Sequence, residues 1–274
     1  MGYSSTPRIA GADPSFRALT FLALFTIGLP ASAAKLTFAV HPVLPAEQTR
    51  TAYQPLLNYL ERTTGRDLEL VVNRNFLSYW QMLKRGEYDI ILDGPHFTDY
   101  RVQKMGYRIL AKFPAAVSYT LVANPDSFIL EPADLVGKRI ATTPSPALGA
   151  LRLSQLYPHP LRQPRIVETE DSLTAARMTV EGKTAGAIIP AGMVGSFPSL
   201  NTVTTTTQVP SPAVSVGPDV DNALANALRQ ALLSAGDSED GRDALESLNI
   251  DTFEPADPAD YQGQAELLKD TWGY

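Results

Sequence analysis

The chain has 274 residues, 44% of them apolar and 19% charged, with a formal net charge of -6. That apolar share is ordinary for a globular protein, which excludes a disordered or collagen-like chain, and the length suits one large domain or two lobes of about 100–150 residues. With no Cys there is no disulfide, thiolate nucleophile or zinc–thiolate centre, and the acidic balance argues against nucleic acid or an anionic membrane as main partner.

Residues 1–33 read as an export signal. Arg8 and Arg17 give a positive start, ALTFLALFTIGL over 18–29 is an apolar core, Pro30 breaks it, and Ala31-Ser32-Ala33 is a small-x-small cleavage site. Such a core is too short to span a bilayer as a stable helix. Cleavage is therefore expected after Ala33, with a periplasmic mature chain that is not inserted in the membrane. The other reading, an uncleaved anchor, leaves the A-x-A box without a purpose.

Strands are expected at 36–40 (LTFAV), 68–72 (LELVV), 88–92 (YDIIL) and 107–111 (YRILA). Helices separate them at 47–64, at 76–85, and from the Asp93-Gly94-Pro95 break to about 105. In the first helix Tyr53, Leu56, Leu57 and Leu60 fall at 3–4 spacing, and Gly65 stands where a helix ends. This alternation predicts an α/β fold with a parallel sheet. It then restarts, with strands at 118–123, 138–142, within 163–168, at 185–189 and 203–208. A helix is expected to begin near Ser145-Pro146, and another to run from an Asp171 cap to Gly182. A strand at 213–216 leads back to helices at 219–235, 240–248 and 261–272, and the Pro-rich 254–258 reads as a solvated turn. The expected architecture is two lobes, each a mainly parallel sheet flanked by helices. Lobe 1 takes residues 34–116 and 213–274, and lobe 2 takes 117–212. Two extended crossings, near 115–119 and 209–214, lie beside Pro114, Pro210 and Pro212.

In open α/β sheets ligands bind beyond the C-terminal ends of strands, where helix N-termini offer free N–H groups. Two loops qualify: 92–96 (LDGPH) and 142–146 (TTPSP). His41 follows the first strand. If the first and third strands are neighbours, His41, Asp93 and His96 converge. Two imidazoles and a carboxylate suit zinc, another divalent ion or a proton-linked site. Otherwise the histidines bond to backbone or solvent at the rim. Phe76, Tyr79 and Trp80 open a helix and either wall a pocket or pack beneath it. Tyr119, Thr143, Ser145 and Gly149 complete the ligand-binding candidates from the second lobe, and His159 in a Pro-flanked loop belongs to the surface. No G-x-S-x-G elbow, Walker loop, zinc-protease helix or G-x-G-x-x-G is present. No enzyme activity and no cofactor are expected.

Besides the export signal, Leu36-Thr37-Phe38-Ala39-Val40, Thr49-Arg50-Thr51-Ala52-Tyr53-Gln54-Pro55-Leu56, Gly86-Glu87-Tyr88-Asp89-Ile90, Gly94-Pro95 and Asp134-Leu135-Val136-Gly137-Lys138-Arg139-Ile140 occur in that order. With them the chain resembles the phosphate/phosphite/phosphonate-type periplasmic substrate-binding proteins of ABC importers, over most of its mature length. The resemblance implies the type II periplasmic-binding-protein fold, working as a hinged clamp. A solute that touches both lobes only when they are shut shifts the population toward closure, and the closed form presents itself to the permease.

The ligand-reading positions depart from the family pattern. Where the family has a Ser-Thr-Ser-Gly loop, this chain has Ser145-Pro146-Ala147-Leu148-Gly149. The central hydroxyls are gone and Pro146 removes an N–H donor. Asp93 replaces an aromatic and would repel an oxyanion unless a cation intervenes. No acidic residue stands in Val209-Pro210-Ser211-Pro212 to read a ligand amine. Each lost charge-assisted bond removes about 1.5–3 kcal/mol, so an aminophosphonate is not the expected ligand. A smaller anion, a more apolar solute, or one met through His41, Asp93 and His96 is expected instead. The functional expectation is a monomeric exported protein that captures a small anionic or polar solute between its lobes and delivers it to an ABC importer. Two alternatives stay open at this point: a ligand-sensing module for a membrane sensor kinase, and a metal-dependent binding protein.

Overall fold

Five short apolar strands with helices between them build each of two sheets. The structure, a computed structural model, describes residues 1–2, 35–269 and 271. All of the expected leader except Met1 and Gly2, its cleavage site included, lies outside the described residues. The first run is β1 (Leu36–Val40), α1 (Ala46–Thr64), β2 (Leu68–Val71), α2 (Phe76–Lys84), β3 (Ile90–Asp93), α3 (Pro95–Met105) and β4 (Arg108–Lys112). The second is β5 (Tyr119–Ala123), β6 (Arg139–Thr142), α4 (Leu148–Leu156), β7 (Arg165–Glu168), α5 (Ser172–Val180), β8 (Gly186–Pro190) and β9 (Asn201–Thr205). The chain returns through β10 (Ala213–Val216) to α6 (Asn222–Leu233), α7 (Glu239–Ser247) and α8 (Pro258–Tyr261).

The sheet orders are β2-β1-β3-β10-β4 and β7-β6-β8-β5-β9. β1 is parallel to β2 and β3, and β6 is parallel to β7 and β8. The reversed strand is β10 in one sheet and β5 in the other, each antiparallel to both neighbours. Each reversed strand follows a crossing between the sheets. The crossings are tied to each other where Val117 and Val209 exchange backbone hydrogen bonds of 2.9 Å. Two extended segments joined at one point form a hinge that can bend while both sheets stay intact.

Apolar side chains fill both faces of each sheet. On one face of the first, Phe38, Leu56, Leu60, Leu92, Val214 and Leu228 form one cluster. On the other, Tyr79, Trp80, Ile91 and Phe97 form a second, which also takes in Ala147 and Leu151 from the other half of the molecule. The strands between them are buried on both faces, as expected of sheets covered by crossover helices.

Two elements depart from the sequence expectation. The helix foreseen at Ser145-Pro146 starts only at Leu148, because residues 143–147 turn first, with the Ala147 N–H bonded to the Pro144 carbonyl at 3.0 Å. The last long helix is instead the single turn of α8 followed by a tight 3-10 turn at Gln264–Leu268, with Gly263 at φ 86° between them. That left-handed conformation suits glycine and interrupts a helix. The 254–258 segment is largely exposed, as expected, and is held at its start, where Glu254 and Lys112 exchange two 2.9 Å backbone bonds. No helix of the described residues is long and apolar enough to cross a membrane.

Candidate functional site

A cavity of about 310 Å³ opens where the C-terminal ends of strands from both sheets meet. His41 follows β1, Phe76 follows β2, and Gly94 and His96 follow β3. From the other sheet, Thr143 follows β6, Asp171 follows β7 and Pro190 ends β8. Six strand tips thus converge on one space, the general ligand position of α/β sheets. Its walls are mainly apolar, including Val43, Leu44, Phe97, Leu148, Leu173 and Met193.

The aromatic wall is fixed by local structure. Asn75 caps α2, accepting from the Ser78 N–H at 2.9 Å, which turns Phe76 inward. His41 stacks on Phe76 (centroids 6.4 Å apart, planes at 15°), and Phe76 stacks on Phe97 at 6.2 Å. His96 is 2% exposed, and its Nε2 lies 3.0 Å from the Pro146 carbonyl on the opposite loop. Burial pushes the His96 pKa down to about 4, outweighing the opposing pull of the Asp93 carboxylate. Burial likewise holds His41 below its ordinary value. Both rings are therefore neutral at pH 7, and the Nδ1 atoms of both are buried without a hydrogen-bond partner.

The carboxylate foreseen beside them turns away. Asp93 is fully buried, and its Oδ2 accepts from Tyr79 Oη and Arg101 Nη1 while its Oδ1 accepts from Thr98 Oγ1 at 3.0 Å. Arg101 Nη2 donates to Ser215 Oγ at 2.6 Å on β10, and the guanidinium sits 5.3 Å from the Tyr107 ring centroid. Asp93 and Tyr79 are thus part of a structural network under the cavity floor, and neither lines the cavity. The metal set of His41, Asp93 and His96 does not assemble: no group of three His, Cys, Asp or Glu side chains among the described residues could hold an ion. The cation that neutralises Asp93 is Arg101. Its sequence signal is faint: it stands four residues after buried Phe97, on the inward face of α3.

In the second sheet, Tyr119 and Thr143 line the cavity. Burial pushes the Tyr119 hydroxyl up to about 12, so it stays protonated. Ser145 is half-buried and outside the lining, and Gly149 serves by close approach, since a Cβ there would stand 3.0 Å from Tyr119 Cε1. His159 is exposed, as expected of its loop. Ala147 caps α4 with no side-chain bond, which leaves first-turn N–H groups beside the cavity. Asp171 caps α5 by accepting from the Thr174 N–H at 2.7 Å, and it places the lining's one carboxylate at the wall. No Lys or Arg is among the described residues that line this space.

Sequence reasoning missed Gln48, the cavity role of Asp171, and the apolar wall. Leucine and methionine at helix starts look the same in sequence whether they meet a core or a cavity.

Three comparisons bear on what this arrangement is. The family model described as "ABC transporter, phosphonate, periplasmic substrate-binding protein" matches residues 38–261. A comparison with curated proteins finds no match. Among solved structures, PhnD1 from Prochlorococcus marinus in complex with methylphosphonate superposes with a TM-score of 0.75 at 10% identity, covering 86% of this chain and 97% of that one. XAC2383 from Xanthomonas citri bound to ATP gives a TM-score of 0.71 at 17% identity, covering 86% and 96%. A binding-protein component of an ABC phosphonate transporter from Pseudomonas aeruginosa gives 0.70 at 14%, covering 85% and 84%. At these identities the structures establish a shared two-lobed fold and leave the solute to be argued from the cavity itself.

Proposed function

Because the chain belongs to the periplasmic phosphonate substrate-binding proteins of ABC transporters, we propose that it traps one small solute between its two lobes and hands it to an inner-membrane permease. The observation that carries this reading is a cavity walled by strand tips of both sheets, above a hinge of two crossings. A solute there meets the first sheet through His41, Phe76 and His96 and the second through Tyr119, Thr143 and Leu148. It gains both sets of contacts only when the lobes are shut. Moving the clamp from 1:99 to 99:1 in favour of closure takes about 10⁴-fold tighter binding to the closed form, which a solute touching both walls can supply.

Lobe 1 is then 34–116 with 213–274 and lobe 2 is 117–212, in a monomer exported by cleavage after Ala33. Of the anionic and polar solutes expected from the sequence, the polar one suits this cavity better. Its lining has no Lys or Arg and one carboxylate, Asp171. The family is one of binding proteins.

The test is native mass spectrometry of the mature protein purified from periplasmic extract, paired with uptake by cells lacking it. One bound molecule of small mass, whose uptake falls in the deletion strain, is the expected result. A bound molecule whose uptake is unchanged would instead favour a sensing role, and an empty protein would contradict solute capture.

A further inference from the structure

His96 spans the cleft. It stands in the first turn of α3, and its Nε2 lies 3.0 Å from the carbonyl of Pro146 in the loop before α4. A carbonyl can only accept, so Nε2 carries the hydrogen and donates it. A neutral imidazole with hydrogen on Nε2 has a bare lone pair on Nδ1. That Nδ1 is buried, has no partner among the described residues, and belongs to a ring that lines the cavity. Residue 94 is glycine, and a Cβ there would crowd this edge of the ring, 3.2 Å from Nδ1 and 3.0 Å from Cε1.

The rest of the wall restricts what can meet that lone pair. Phe76, Phe97, Leu148, Leu173 and Met193 present hydrocarbon. Asp171 supplies negative charge, and the buried guanidinium of Arg101 is committed to Asp93 and Ser215 below the floor. An unprotonated oxyanion oxygen placed against Nδ1 would set lone pair against lone pair.

We infer that the cavity selects an apolar solute that carries a hydrogen-bond donor, a hydroxyl or an amine, and no negative charge, with His96 Nδ1 as the acceptor that reads the donor. The inference rests on the solute-capture reading above and names its substrate class. It also ties recognition to closure. The Pro146 carbonyl that fixes the tautomer belongs to the opposite lobe, so the acceptor is fixed only when the lobes are shut.

The experiment titrates the mature protein calorimetrically at pH 7 with three probes that share one body: benzyl alcohol, benzylamine and benzylphosphonate. The first two are expected to bind, with benzylphosphonate weaker by about 100-fold or more. His96→Leu should weaken benzyl alcohol by on the order of tenfold to a hundredfold, the range for a lost buried hydrogen bond, and weaken it more than toluene, which has no donor. Should that variant not fold, nitrogen-15 NMR of the wild-type His96 ring gives the same answer. An unprotonated Nδ1 that shifts on adding benzyl alcohol supports the inference, and a protonated Nδ1 overturns it. Tighter binding of benzylphosphonate than of the other two, or a co-purified solute that carries a negative charge or lacks an O–H or N–H donor, overturns the inference and leaves solute capture standing. A protein that binds none of the probes and carries no solute removes both.

Discussion

Replacing Arg101 with Met tests the network that holds the cavity floor. The side chain is fully buried, pairs with fully buried Asp93, and donates to Ser215 on the returning strand β10. Methionine keeps much of the volume and removes the charge. Asp93 would then keep Tyr79 and Thr98 as partners and lose the cation that neutralises it. Breaking a buried ion pair from one side costs about 3–5 kcal/mol, against a total stability of about 5–15 kcal/mol for a folded domain. For a chain of this size each kcal/mol moves the melting temperature by about 2–4 °C, so a fall of about 6–20 °C is expected. Urea denaturation of the wild type, Arg101→Met, Asp93→Asn and the double variant completes a cycle. Because the two groups neutralise one another, the double variant should lose at least about 2 kcal/mol less than the two single losses added together. Single losses below about 1 kcal/mol, or losses that add, would refute the claim that this pair is a buried unit under the site.

Three further outcomes follow from the same geometry. Gly149→Ala puts a methyl 3.0 Å from Tyr119 Cε1, so it should cost about 1–3 kcal/mol by overpacking and weaken capture of the co-purified solute, read by denaturation and calorimetry. His96 titrates near 4 in the fold against 6.5 when unfolded; between these values the unfolded chain binds the extra proton, so stability falls as pH drops, by about 1.4 kcal/mol per pH unit. His41, also lowered, adds in the same direction. The urea midpoint followed from pH 7 to 4.5 should show this fall, and His96→Gln should flatten it; an unchanged slope would contradict it. Asp171→Ala removes the bond to the Thr174 N–H and should cost about 1 kcal/mol, while improving benzylphosphonate binding by removing negative charge from the wall; weaker binding of that probe would count against the electrostatic argument.

The scaffold was legible because strand and helix alternate with clear periodicity, and because the crossings carry Pro114, Pro210 and Pro212 at their bends. The neighbouring of β1 and β3 was also legible, and it brings His41 and His96 to one cavity. What sequence could not show was the direction of a side chain in a strand buried on both faces. Ile90–Asp93 has no apolar–polar alternation, so nothing said whether Asp93 faces cavity or core. Its partner Arg101 reads as a surface residue until α3 is seen to be sandwiched between the sheet and the C-terminal turn, where Asp99 accepts from the Ala265 N–H at 2.8 Å. The cross-cleft bond from His96 was invisible for a different reason: its acceptor is a backbone carbonyl, which no side-chain motif announces.

The most direct test is a crystal structure of the mature protein with its co-purified solute. The account predicts density enclosed between His96 and Phe76 on one side and Tyr119 and Leu148 on the other, with a donor atom about 2.7–3.2 Å from His96 Nδ1. A solute held elsewhere on the molecule, or one that touches a single lobe in a fully shut clamp, would contradict it.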